Sequence, residues 1–302
     1  MKIVKLGDRN ADPAFFDMAA RFKPKNAHWY GNGFRIGDRA AAYVYLKVWR
    51  QANRNRKLIV VEDNHIPGTE YSRWLPARWM CADLADEIWE TDSGGETVAR
   101  PRGEALYVRT LWAFWKSFMS SKRDVRLDLQ PDTISMRRAD TLLQDLKVPG
   151  NYVTIQPLFD AHYDKHRNQK ASWWQAVVER MSGRVPTVVL GVHPNLKHIR
   201  LPGNCYPMIA RGVDPMVSLA LIAKASMHVG GATGTTIWAP ILKVPTVAIY
   251  RSWGPTGGSD VRPIGFGRSI IYSPLQDTPE GTATRIAKAY QKIREEEECH
   301  AH

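Results

Sequence analysis

The chain has 302 residues, 44% of them hydrophobic and 10% aromatic, with a formal net charge of +12: long enough for two ordinary domains and basic enough to favour anionic partners. No run of about 18 consecutive apolar residues occurs, which excludes a membrane-spanning helix, and residues 1–12 turn charged too soon for a secretion signal. Three widely spaced cysteines, Cys81, Cys205 and Cys299, exclude a disulfide framework and show no metal-ligand spacing; with Cys299-His300-Ala301-His302 read as a frayed tail, a soluble, reduced, cytoplasmic protein is expected.

In chain order, residues 3–6 are a short strand candidate. The segment His28-Trp29-Tyr30-Gly31-Asn32-Gly33 reads as a loop, and residues 39–50 as an almost wholly apolar helix headed by Gly37-Asp38. A strand at 57–61 ends in the polar Glu62-Asp63-Asn64. Residues 71–85 are expected to be helical, 86–90 a short edge strand, 93–104 a loop, and 106–119 and 134–146 helices. Pro149-Gly150 then breaks the chain, and the alternation of strand and helix restarts more clearly. Strands are expected at 152–155, 185–192, 226–229 and 246–250, and helices at 172–181, 214–224, 235–242 and 280–297. Such alternation predicts an α/β protein of two Rossmann-like domains, 1–148 and 149–302, with the last helix packing back across the junction. Ligands belong at the carboxyl ends of the strands, in the cleft that two such domains would form.

The segment Val229-Gly230-Gly231-Ala232-Thr233-Gly234-Thr235-Thr236 carries the strongest chemical signal. A strand ends, small residues turn, and a helix begins. Backbone N–H groups at a helix N-terminus bind phosphate, and glycine permits close approach. Gly231, Thr233, Gly234, Thr235 and Thr236 are therefore candidate phosphate ligands, the threonines adding hydroxyl donors. The bland alternative is a strand-to-helix turn with a threonine cap. It is neither a Walker loop nor G-x-G-x-x-G.

With Ile237-Trp238-Ala239-Pro240-Ile241-Leu242 and Val244-Pro245-Thr246-Val247-Ala248-Ile249-Tyr250 after it, this segment resembles the donor-binding motif of the lipopolysaccharide heptosyltransferases. That family carries an acid-Thr-Gly turn and a helix histidine, whose places are taken here by Ala232 and Ile237. The resemblance implies a GT-B fold and an inverting transfer from a nucleotide-sugar donor, with neither metal nor other cofactor. The strand before Gln156-Pro157 and the basic loop Lys165-His166-Arg167-Asn168-Gln169-Lys170 ahead of Trp173-Trp174 are also similar to the family's, and make Lys170 the counterpart of its phosphate-binding lysine. A bland reading leaves these as solvated loop charges. The family's ribose-binding acid has no counterpart after Val192; Gln156, His193 and Asn195 are the positional candidates for nucleoside or donor contacts.

Gly37-Asp38 resembles the pair that ends the family's first loop, which makes Asp38 the candidate general base; alternatively it only caps helix 39–50. If Asp38 is a cap alone, Glu62, Asp63 and His65 are next in line as base. In the family the pair closely follows the first strand, whereas about thirty residues separate Leu6 from Gly37 here.

Both halves share the positive charge equally, so it is not a basic tail. An anionic glycan or lipid-linked acceptor fits it. So does DNA carrying a hydroxymethylated base, as in phage DNA glycosyltransferases, with tryptophan and arginine interleaved at Arg73-Trp74, Arg78-Trp79 and Arg109-Thr110-Leu111-Trp112. A nucleotide- or nucleic-acid-binding protein without catalysis is the reading from a different class, supported by Ala232 and Ile237.

Overall fold

The computed structural model describes residues 1–6, 27–32, 36–63, 76–91, 105–106, 129–157, 169–191, 199–208, 213–231, 233–250, 270–274 and 278–300. It divides into two compact units, Met1–Val125 and Arg126–His302.

The first unit holds a parallel sheet of β1 (Lys2–Leu6), β2 (Ala27–Asn32), β3 (Lys57–Asp63), β4 (Glu87–Thr91) and β5 (Ala105–Leu106), in the order β1-β4-β3-β2-β5. Among the described residues its helices are α1 (Ile36–Ala52) and the single turn α2 (Ala77–Met80). The segment expected as a loop at 28–33 is thus largely strand β2. Its glycine and asparagine read as turn residues, yet pairing with β3 and β5 on both sides overrides that local signal. Likewise β4 is interior rather than an edge, because β1 covers it in register from Lys2 opposite Glu87 to Leu6 opposite Thr91. Of the helix expected at 71–85, the described part is α2 and the turns after it; of the helix expected at 106–119, Leu106 instead ends β5, paired with Tyr30, and the rest lies outside the described residues, as does the expected loop at 93–104.

Counted from β2, the order β4-β3-β2-β5 is third-second-first-fourth, the nucleotide-binding arrangement, with β1 an added edge. The extra residues therefore precede the motif instead of interrupting it, and Gly37-Asp38 follows its first strand closely. Helix α1 begins at Ile36, so Asp38 is its third residue and not its N-cap. Ala40, Ala42, Tyr43, Val44, Leu46, Val48 and Trp49 are all buried, as an interior helix requires. Its C-terminal end is tied down by Asp86, whose two carboxylate oxygens accept from Arg50 Nη2 at 3.0 Å and the Leu58 amide at 2.8 Å.

The second unit holds β6 (Val153–Gln156), β7 (Thr187–Val189), β8 (Cys205–Pro207), β9 (Met227–Gly230), β10 (Thr246–Tyr250) and β11 (Ile270–Pro274). All pairs are parallel, in the order β11-β10-β9-β6-β7-β8. Read from the other edge this is 3-2-1-4-5-6, the doubly wound order whose switch point lies between β6 and β9. Helix α4 (Ala171–Ser182) packs with the last helix α7 (Pro279–His300), while α5 (Pro215–Ala223) contacts both α3 (Thr133–Asp145) and α6 (Gly234–Ile241). The last helix thus packs on α4, inside its own unit.

Alternate residues of the strands serve different purposes. Val153, Ile155, Met227, Val229, Val247 and Ile249 join Trp174, Val177, Val178, Met181, Ala283 and Ile286 in one apolar core. Thr154, His228 and Thr246, the residues of opposite parity, form a buried polar ladder in register across β6, β9 and β10.

The unit boundary falls at Val125/Arg126 and not at Pro149-Gly150, because α3 is bound to the second unit. Arg138 reaches Asp214 at 2.7 Å and Lys224 reaches Asp140 at 2.8 Å. Asp214 also caps α5, accepting from the Val217 amide at 2.8 Å, and Asp132 caps α3 through the Ser135 amide at 2.8 Å. Among the described residues, no helix is long and apolar enough to cross a membrane.

Candidate functional site

At the switch point Gln156, the last residue of β6, stands opposite Gly230, the last of β9. Past Gly230 the chain turns through the buried Gly231 to Thr233, which caps α6 by accepting from the Thr236 amide at 3.3 Å. Helix geometry leaves the amides of Gly234 and Thr235 without an intrahelical acceptor at that terminus. Their dipole-aligned N–H groups are the anion-binding feature of the turn.

The three threonine hydroxyls are joined to one another. Thr233 Oγ1 lies 2.8 Å from Thr235 Oγ1 and 2.9 Å from Thr236 Oγ1, and Thr235 donates to Gln156 Oε1. Thr236 Oγ1 also lies 3.4 Å from His228 Nε2, whose ring Nδ1 is 3.0 Å from Thr154 Oγ1. The structure therefore brings Gln156, Gly231, Thr233, Gly234, Thr235 and Thr236 to one place at the end of the sheet. Sequence reasoning missed Thr154 and His228 as parts of it. The available signal was parity: Thr154 and Gln156 share a strand face, as do His228 and Gly230, in strands otherwise apolar.

Gly230 is demanded by packing. A Cβ there would run into the Thr236 hydroxyl and lie 3.0 Å from His228 Nε2. Burial pushes the His228 imidazole down to about 3, so it is neutral at physiological pH. Since the folded value is below that of an exposed histidine, protonation favours unfolding, and this contribution to stability is lost as pH falls from about 6.5 toward 3.

Lys170 is exposed and stands at the N-cap of α4, its carbonyl accepting from the amides of Trp173 at 3.0 Å and Trp174 at 3.2 Å. Because α4 returns from β6 to β7 and α6 from β9 to β10, both helix N-termini lie at the carboxyl edge of the sheet. Asp38 is in the first turn of α1, at the corresponding edge of the first sheet; its side chain is outside the described residues, as are Lys165 to Asn168, His193, Asn195 and Ala232. Beside Asp38 in α1, Arg39 is fully buried, a charge among the buried apolar residues of that helix.

No family model matches the sequence, and no curated protein matches it. Solved structures do. A glycosyl transferase family 9 protein from Veillonella parvula DSM 2008 aligns with a TM-score of 0.58 at 11% identity, covering 91% of this chain and 92% of its own. The ADP-heptose LPS heptosyltransferase II of E. coli aligns at 0.56 and 11% identity, covering 89% and 99%. The fold is GT-B. In this GT-B chain the switch-point turn of the second unit carries Gly231, Thr233, Gly234, Thr235 and Thr236, position 237 on the helix is isoleucine, and His228 of β9 lies beneath the turn, 3.4 Å from Thr236 Oγ1.

Proposed function

We propose that the protein is a glycosyltransferase that moves a sugar from a nucleotide-sugar donor to a hydroxyl of an anionic acceptor. The observation that carries this reading is the turn at the β6/β9 switch point, where a helix N-terminus, two glycines and the Gln156–Thr235 pair meet. The amides of Gly234 and Thr235 would hold the donor's diphosphate, with Lys170 adding a positive charge from the neighbouring helix terminus. In an inverting transfer the acceptor oxygen bonds to the anomeric carbon as the carbon–oxygen bond to phosphate breaks. Asp38 takes the acceptor's proton, and the amides and Lys170 stabilise the departing diphosphate in place of a metal. The net charge of +12 favours an anionic acceptor, of glycan or lipid-linked type.

A panel of UDP-, GDP-, ADP-, CMP- and dTDP-sugars tests the reading by thermal shift and by release of nucleoside diphosphate. One donor should stabilise the protein by about 2.7 kcal/mol at 100 times its dissociation constant, and its turnover should survive EDTA. A panel in which nothing binds, or turnover that EDTA abolishes and magnesium restores, would contradict it.

A further inference from the structure

His228 is fully buried on β9, between Thr154 of β6 and Thr246 of β10 in strand register. From its ring a line of polar contacts runs outward through the hydroxyls of Thr236, Thr233 and Thr235 to the amide oxygen of Gln156. A hydroxyl has a single proton, so the direction of such a line is set at its ends.

At the outer end Thr235 donates to Gln156 Oε1. Thr233 must then donate to Thr235, Thr236 to Thr233, and His228 Nε2–H to Thr236. At the inner end the Thr154 hydroxyl has His228 Nδ1 at 3.0 Å and the Met227 carbonyl at 3.4 Å. The shorter contact takes the proton and leaves Nδ1 as an acceptor. Both ends assign the same neutral tautomer, with the proton on Nε2. Burial, which holds the imidazole neutral, agrees with it.

We propose that His228 is a positioning residue that fixes the polarity of this relay, so that its outer end, Thr235, presents a hydrogen-bond donor to an acceptor-only group, an ionised diphosphate oxygen. This rests on the phosphate reading of the turn. The opposite polarity would turn a Thr235 lone pair outward, against the phosphate's own lone pairs. The Gln156 amide oxygen is the partner that a phosphate oxygen replaces. Gly230 keeps the relay open, since any Cβ there would meet Thr236 and His228 together.

The test uses the full chain, histidine-labelled with ¹⁵N, and inorganic pyrophosphate as probe. The ring nitrogens should report the Nε2–H tautomer without titration between about pH 8 and 5. His228→Leu, which keeps bulk and removes the donor, should weaken pyrophosphate binding on the order of tenfold, the scale of one hydrogen bond. His228→Gln, whose amide N–H reaches about as far as Nε2, should recover binding to within about threefold of the parent. Thr236→Val cuts the next link and should show the same loss, which keeps the test open if His228→Leu does not fold. An Nδ1–H or imidazolium signature, or a folded His228→Leu that binds pyrophosphate like the parent, overturns the proposal alone. A parent that binds no pyrophosphate overturns the phosphate reading and the proposal with it.

Discussion

Asp38 shows what a residue can and cannot announce. Its pairing with Gly37 is visible in the sequence, but its place relative to the helix is not, since helix 36–52 begins before it and removes the cap role that would compete with catalysis. An acid at the third helical position still gains from the helix dipole, about 0.3–1 kcal/mol. Asp38→Asn should therefore cost little stability, leave donor binding intact and slow transfer on the order of 10²–10⁴-fold if the carboxylate is the base. Calorimetric melting, donor titration and initial rates separate these effects. Transfer at the parent rate would move the search for the base to Glu62 and Asp63 at the end of β3. The turn itself was equally legible, because small and hydroxylated residues between a strand and a helix mark a capped helix N-terminus whatever that terminus binds. His228 was not legible: a lone histidine in a strand looks the same whether it is core or relay, and only the register with Thr154 distinguishes the two.

At the scale of elements, the second unit was read better than the first for a physical reason. Strands such as β10 are runs of β-branched and apolar residues buried on both faces, and the expected span 246–250 coincides with the observed one. β2 is strand only because neighbours on both sides supply its hydrogen bonds, which no local pattern encodes. β8 and β11 were missed because they are edge strands, each ending in a proline, Pro207 and Pro274, a residue that strand patterns count against. Helix ends carry their own signature. Both α3 and α6 close with the amide two residues past the C-cap bonding back: Val148 to Leu143 at 2.9 Å and Val244 to Ala239 at 3.0 Å. The residue between is in the left-handed region in each, Lys147 at φ 52° and Lys243 at φ 64°. A lysine there carries a Cβ penalty that glycine escapes, so Lys147→Gly should raise stability by roughly 0.5–1 kcal/mol. The denaturant midpoint measures it, with an unchanged slope; a lower midpoint would mean that the exposed Lys147 side chain contributes more than its backbone costs.

For the whole molecule, the informative difference between sequence and structure is the boundary. Pro149-Gly150 looks like a domain break because it ends a helix, and it does follow α3 directly. Yet α3 lies on the second unit's side, ion-paired to it at Arg138–Asp214 and Asp140–Lys224 and packed against α5. Helix α5 buries Met216, Val217, Leu219, Ala220, Leu221 and Ile222, an all-round apolar surface that needs cover on every side. The exposed ion pairs add little of this by themselves; the cover that α3 gives α5 is the larger effect. A chain of residues 126–302 carries all six strands of its sheet and both helical layers, and it should be soluble and unfold in one cooperative transition. A chain of residues 149–302 lacks α3 and returns part of α5 to water. It should be less stable by at least about 2 kcal/mol, the value of one large apolar side chain re-exposed, and prone to self-association through that face. Paired urea denaturation of the two fragments decides the matter. Equal midpoints would place the boundary at the Pro-Gly break after all and reduce α3 to a linker helix.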